Sequence, residues 1–101
     1  MQTPEHSVAQ ALIRAAANAG LLIRKLRWEG RVGAPDYVIL ASGRAFFVET
    51  KAAGQKPRPS QVAEFARLEK CGFPVAVVDT EDAAKLEITR ICAILKKCEF
   101  F

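Results

Sequence analysis

Two acids and one amine, Asp36, Glu49 and Lys51, are the residues of this 101-residue chain whose types and spacing point most directly to chemistry. Asp36 and Glu49 lie at the outer ends of two β-rich runs, Tyr37-Val38-Ile39-Leu40 and Ala45-Phe46-Phe47-Val48, separated by Ala41-Ser42-Gly43-Arg44. A Ser-Gly centre suits a tight antiparallel turn, so the runs predict a hairpin. With Ser42 and Gly43 at its centre, Leu40 faces Ala45, Val38 faces Phe47 and Asp36 faces Glu49. Facing side chains have Cβ atoms about 4.5–5.5 Å apart, and two like charges there are destabilising unless something compensates. A bound divalent cation is the obvious compensation. Lys51, two residues after Glu49, points from the same face of the same strand. Such a trio at the end of a buried sheet is costly as a stability device, which favours chemistry.

The elements around the trio follow from local signals. Thr3 as N-cap, Pro4 at the first helical position and Glu5 in the first turn predict a helix over residues 4–19, stopped by Gly20. Its apolar stripe runs through Val8, Leu12 and Ala16, and Glu5 extends that stripe at the N-terminal end, facing the body of the protein. Glu5 also suits the positive first turn in its own right. Leu21 to Trp28 reads as a half-exposed strand, and Gly30 to Pro35 as loop. Both faces of the hairpin are apolar, Val38, Leu40 and Phe47 on one and Tyr37, Ile39, Phe46 and Val48 on the other, as in the middle of a covered sheet.

After Lys51, a basic Gly/Pro-containing loop leads to a helix that Ser60 or Arg58 begins and Gly72 stops near Lys70. Gln61, Phe65 and Leu68 share a stripe, so Gln61 faces inward in the first turn. Phe73 to Val78 reads as a buried strand, giving a right-handed parallel crossover from the hairpin. Thr80 caps a last helix to about Lys97, with Ala84, Ile88, Ile91 and Leu95 as its buried stripe. No repeat or low-complexity segment is present.

Composition sets limits on function. Half the residues are apolar and 26% are charged, which excludes a disordered or collagen-like chain. The longest uncharged apolar-leaning stretch, Ala15 to Ile23, is far short of the ~20 residues that cross a bilayer, so no membrane partner is expected. Cys71, Cys92 and Cys98 show neither a disulfide framework nor zinc-site spacing, which predicts a reducing, intracellular setting and three ordinary small apolar side chains, buried or half-buried. The net charge of +4 is concentrated. Arg24, Lys25, Arg27 and Arg31 against Glu29 give +3 in residues 21–35, and Lys51, Lys56 and Arg58 give another +3 in residues 51–60. These segments bracket the acidic pair, a distribution suited to holding a phosphate backbone over a cation. His6 and Tyr37 read as structural or surface residues, and Trp28 as a core or interface aromatic.

Gly33-Ala34-Pro35-Asp36, followed after twelve residues by Glu49-Thr50-Lys51 and then by Gln61 on a helix, resembles the VRR-NUC domain (virus-type replication-repair nuclease) of the PD-(D/E)XK superfamily. The likeness spans nearly the whole chain, from the Glu5 helix to the strand at Phe73. It implies an α/β, restriction-endonuclease-like core: a mixed sheet with an N-terminal helix, a central β-hairpin, a βαβ crossover and a C-terminal helix, as one stand-alone domain over 1–101. It further implies a Mg²⁺- or Mn²⁺-dependent phosphodiesterase acting on DNA. By resemblance, Asp36 and Glu49, with the carbonyl of Thr50, are metal ligands. Lys51 is the catalytic lysine, Gln61 the accessory residue, and Glu5 the first-helix acid that holds water or a second ion. Lys51 can orient the nucleophile and neutralise developing charge; a role as base requires a depressed pKa. Family members often carry a small hydroxyl residue where this chain has Arg58.

The resulting expectation is a small endonuclease for duplex DNA, flaps or four-way junctions, in the cytoplasm of a bacterial cell or phage-infected host. Arg24, Lys25, Arg27, Arg31, Lys56 and Arg58 are its expected DNA-binding residues. Cutting two strands symmetrically predicts a homodimer, and a replication or repair protein is a further possible partner. The rival expectations are a catalytically silent DNA-binding or partner-binding module with the same fold and a small basic RNA-associated protein.

Overall fold

A computed structural model describes residues 3–99, with side chains described for residues 3–96. The element order is α1 (Pro4–Asn18), β1 (Leu22–Lys25), β2 (Tyr37–Ala41), β3 (Arg44–Thr50), α2 (Pro59–Lys70), β4 (Val75–Val78) and α3 (Glu81–Glu99). The four strands form one sheet in the order β1-β2-β3-β4, antiparallel except for the parallel β3–β4 pair. This is the α/β mixed sheet with three helices that the residues predict, and the hairpin register is the expected one, with Leu40 opposite Ala45 and Val38 opposite Phe47. Ser42 and Gly43 both adopt positive φ, 53° and 73°. That is the conformation of the tight turn whose twist matches a hairpin.

Local chemistry sets the helix ends. The Thr3 hydroxyl accepts from the His6 N–H at 3.1 Å, and the Thr80 hydroxyl accepts from the Ala83 N–H at 3.0 Å. After α2, Gly72 at φ +91° allows its N–H to reach the Glu69 carbonyl and that of Phe73 to reach the Leu68 carbonyl, both at 2.9 Å. This pair of bonds is how a glycine closes a helix.

The core lies on one face of the sheet. α1 and α3 cover Tyr37, Ile39, Phe46, Val48 and Val78 with Val8, Leu12, Ala16, Ala84, Ile88, Ile91 and Leu95, all buried. The opposite face carries Val38, Leu40, Phe47, Glu49 and Val77, and α2 covers only part of it. The expected two-sided cover is therefore incomplete: Leu40, Phe73 and Val77 remain about 40% exposed. Accordingly β4 is a half-exposed edge strand of four residues, where a buried strand from Phe73 was expected. β1 is also shorter than the expected Leu21 to Trp28. Its pairing runs from Leu22 opposite Leu40 to Lys25 opposite Tyr37, and the Leu26 N–H still donates to the Asp36 carbonyl at 2.8 Å. The next partner is Pro35, which has no N–H to continue the ladder.

The cysteines depart from expectation in one case. Cys92 is half-buried, but Cys71 is exposed at the C-terminus of α2, and the Cys98 side chain lies outside those described. Among the described residues no helix is long and apolar enough to cross a membrane.

Candidate active site

The acidic end of the hairpin sits where β2 begins and β3 ends, bordered by the first turns of α1 and α2. Pro35, fully buried, stops the β1–β2 ladder and presents Asp36 at the sheet end. Gly33, at φ +97°, makes this approach possible. A Cβ built there would lie 2.5 Å from the Ser60 carbonyl oxygen, so only glycine lets the loop lie against α2.

Asp36 and Glu49 exchange contacts instead of simply facing each other. The Asp36 N–H donates to Glu49 Oε1 at 3.0 Å, while Thr50 donates to Asp36 Oδ2 from its N–H at 3.1 Å and its hydroxyl at 2.7 Å. Glu49 Oε2 accepts from Gln61 Nε2 at 2.8 Å and forms an ion pair with Lys51 Nζ at 3.1 Å. The chain's own donors thus relieve the like-charge repulsion between the two acids only in part, since the Glu49 carboxyl stays above its usual range. Asp36 Oδ1 accepts no hydrogen bond among the described residues. Gln61 explains its own position: its Oε1 accepts the Arg58 N–H at 2.8 Å, the reach-back bond of a capping box at the start of α2.

The site is deeply placed, with Glu49, Thr50 and Gln61 exposed by only 1%, 2% and 5%. Burial and the neighbouring Asp36 charge push the Glu49 carboxyl above the usual range, against the lowering effect of Lys51 and Gln61. Burial, then the charges of Asp36 and Glu5, push the Tyr37 phenol up as well. A carboxylate whose charged form is disfavoured by burial and a like charge favours the arrival of a cation.

Two cavities meet at Asp36. The larger, about 490 Å³, brings Glu5, Asp36, Glu49, Lys51 and Gln61 together under Gln55, Lys56 and Arg58. The smaller, about 260 Å³, joins Glu5 and Asp36 to His6, Lys25, Tyr37 and Thr50. All five expected catalytic positions therefore border one space, including Glu5, which is solvent-exposed. Among the expected DNA-binding residues, Lys56 and Arg58 rim the larger cavity and Lys25 the smaller. Arg31 lies apart, against α2, and Arg24 donates to its neighbouring Ile23 carbonyl at 2.7 Å. Arg27 is exposed, and neither cavity includes it.

His6 is a surface residue and Tyr37 a buried core residue, as their types predict, and both also line the smaller cavity. The only sequence signal was adjacency, His6 following Glu5 and Tyr37 following Asp36. Among the described residues no three His, Cys, Asp or Glu side chains come together as a closed metal cage. One or two carboxylates with open positions for water and phosphate is, however, the usual protein share of a Mg²⁺ site, so the donor set fits such an ion.

No family model matches the chain. A protein of Acyrthosiphon pisum secondary endosymbiont phage 1, named "Putative nuclease p44", is 37% identical over 83 residues, covering 81% of this chain and 89% of the relative. A solved structure described as a VRR_NUC domain superposes with a TM-score of 0.80 at 37% identity, covering 87% of this chain and 97% of that one. The chain belongs to the VRR-NUC family. Membership makes it a nuclease-family protein, and the near-complete cover of the solved domain means that the VRR-NUC fold here includes both the hairpin and the crossover helix that bring Asp36, Glu49, Lys51 and Gln61 together.

Proposed function

We propose that this VRR-NUC protein is a Mg²⁺- or Mn²⁺-dependent endonuclease that hydrolyses phosphodiester bonds in duplex or branched DNA during phage or bacterial replication and repair. The observation that carries the reading is the meeting of two acids, a lysine and a glutamine on one open cavity whose rim is basic. A divalent ion held by Asp36, Glu49 and the Thr50 carbonyl would supply Lewis acidity, lowering the pKa of water and stabilising charge on phosphorus. The residues do the rest. Thr50 fixes the Asp36 carboxylate by two hydrogen bonds, and Gln61 fixes Glu49 by one, so both acids are preorganised. The Lys51 ammonium, 12% exposed, lies beside Glu49 and is suited to orient the attacking water and offset charge as the P–O bond to a sugar oxygen breaks. Lys56 and Arg58 hold flanking phosphates. Glu5, at the mouth of both cavities, orders water or a second ion.

Two chains would place two sites about a twofold axis, as symmetrical cutting of a junction requires. The incompletely covered sheet face, with Leu22, Leu40 and Phe73 exposed, supports a homodimer. Sedimentation or light scattering giving only a monomer on DNA would count against it. The function is tested by incubating plasmid, flap and four-way-junction DNA with the protein in Mg²⁺ or Mn²⁺, beside Asp36→Ala and Lys51→Ala. Cleavage abolished by chelator and by both substitutions is expected. Undiminished cutting by the variants would overturn the mechanism, and tight binding without cutting would support a silent DNA-binding module instead.

A further inference from the structure

A second basic cavity, about 550 Å³, lies outside the site, between the Gly30–Val32 loop and the Ser60, Ala63 and Arg67 side of α2. These three positions recur at helical spacing on a face next to the Gln61–Phe65 stripe. Beneath the cavity Glu64 is 7% exposed and is shared by two arginines. Arg31 reaches its carboxylate through Nε at 3.3 and 3.4 Å and through Nη2 at 3.3 Å, and Arg67 through Nη1 at 3.2 Å. Charge-assisted N–H···O bonds are ordinarily about 2.7–2.9 Å, so neither guanidinium is fully committed. Glu87 and Arg90 on α3 show the one-to-one alternative, a single acid met by a single arginine through Nε and Nη2.

The contrast is one of charge. The α3 pair is neutral, whereas two arginines on one glutamate leave a surplus of +1, matching one phosphodiester. Both arginine side chains stay more than half exposed, at 54% and 61%, with donors to spare. Among the described residues the buried Trp28 indole N–H has no hydrogen-bond partner. Arg67 is six residues past Gln61, about 9 Å along the helix axis, which sets it apart from the active-site cavity.

We propose that Arg31 and Arg67, held in place by Glu64, form a second phosphate site that grips the DNA strand beside the bond being cut. This rests on the nuclease reading above and adds Arg67 to it. Guanidinium forks are the side chains best shaped for bidentate phosphate contacts, and the groove shares the first turn of α2 with the active-site cavity.

The test is the salt dependence of duplex binding in chelator, where the strand stays uncut, for the wild type, Arg67→Ala, Arg67→Lys and Arg90→Ala. Arg67→Ala is expected to weaken binding about 5- to 10-fold near 0.1 M salt and to lower the log–log salt slope by about one. Arg67→Lys should keep the slope while losing part of the affinity, and Arg90→Ala should match the wild type. An unchanged slope in Arg67→Ala, or an equal loss in Arg90→Ala, overturns the phosphate site while leaving cleavage, and so the nuclease reading, intact. A wild type that neither binds nor cuts DNA overturns both.

Discussion

Two buried glutamates fifteen residues apart in the chain, Glu49 and Glu64, sit in opposite electrostatic settings. Glu49 lies beside another carboxylate, and burial with that neighbour raises its pKa despite Lys51 and Gln61. Burial would raise Glu64 too, but hydrogen bonds from Arg31 and Arg67 outweigh it and lower its pKa. The first is an acid placed where its charge is poorly served by the folded chain alone. The second is an acid fully served, with cationic charge left over. One arrangement is poised for a cation, the other for an anion, and a phosphodiester backbone crossing a metal site needs both.

The largest expected effect separates the two directly. Glu49→Gln should lower the single-turnover cleavage rate by about 10³-fold, the equivalent of roughly 4 kcal/mol of transition-state stabilisation. Glu64→Gln should change it less than about threefold at saturating protein, its effect falling instead on DNA affinity and Tm. Equal rate losses in the two variants, measured at saturating protein, would erase the distinction between them.

Gly33 tests whether the two settings are mechanically joined, because its contact with Ser60 seats the loop carrying Arg31 and Asp36 against the helix carrying Gln61 and Glu64. Gly33→Ala combines a φ of +97° with a Cβ 2.5 Å from a carbonyl oxygen, so a destabilisation of about 3 kcal/mol is expected by denaturant unfolding. Gly30→Ala, also at positive φ but facing open space, should cost only about 1 kcal/mol. Similar costs at both positions would mean that the loop is not seated by that contact.

The two glutamates also differ in how legible they were. Glu49 could be found because a turn of Ser42 and Gly43 fixes the hairpin register, the register puts Asp36 opposite, and a period of two adds Lys51. All of those steps are local. Gln61 was legible from its place on the stripe of α2, and the helix stripes through Leu12 and Ile91 likewise. Glu64 and Arg67 carried no such signal, because their meaning depends on Arg31, which lies more than thirty residues away and is brought to them by the path of a loop. The same limit explains His6, Tyr37 and the half-exposed β4: which face a distant helix covers is a tertiary outcome that strand alternation does not contain.

A smaller effect sharpens the Glu49 side. The Gln61 amide bridges Glu49 and the N-terminal end of α2, so Gln61→Ala removes a buried donor and a capping contact together. A loss of about 2 kcal/mol in unfolding free energy is expected, with cleavage reduced roughly 10- to 100-fold as Glu49 loses its orientation. Retained stability with lost activity would instead assign Gln61 to the substrate.

The smallest effect is the most diagnostic, because the two glutamates should pull stability in opposite directions with pH. In chelator, folded Glu49 binds a proton more tightly than an unfolded glutamate of pKa 4.5, so its contribution rises as pH falls through its raised value towards 4.5. Folded Glu64 binds one less tightly, so its contribution is complete above 4.5 and is lost as pH falls through its lowered value. Tm against pH should therefore flatten above 4.5 in Glu49→Gln and below it in Glu64→Gln. A cation bound at Glu49 requires the ionised carboxylate, so adding Mg²⁺ or Mn²⁺ should reverse the upper arm, making the protein more stable as pH rises, and leave the Glu64 arm as it was. An upper arm that ignores the metal would separate Glu49 from cation binding while leaving its unusual titration in place.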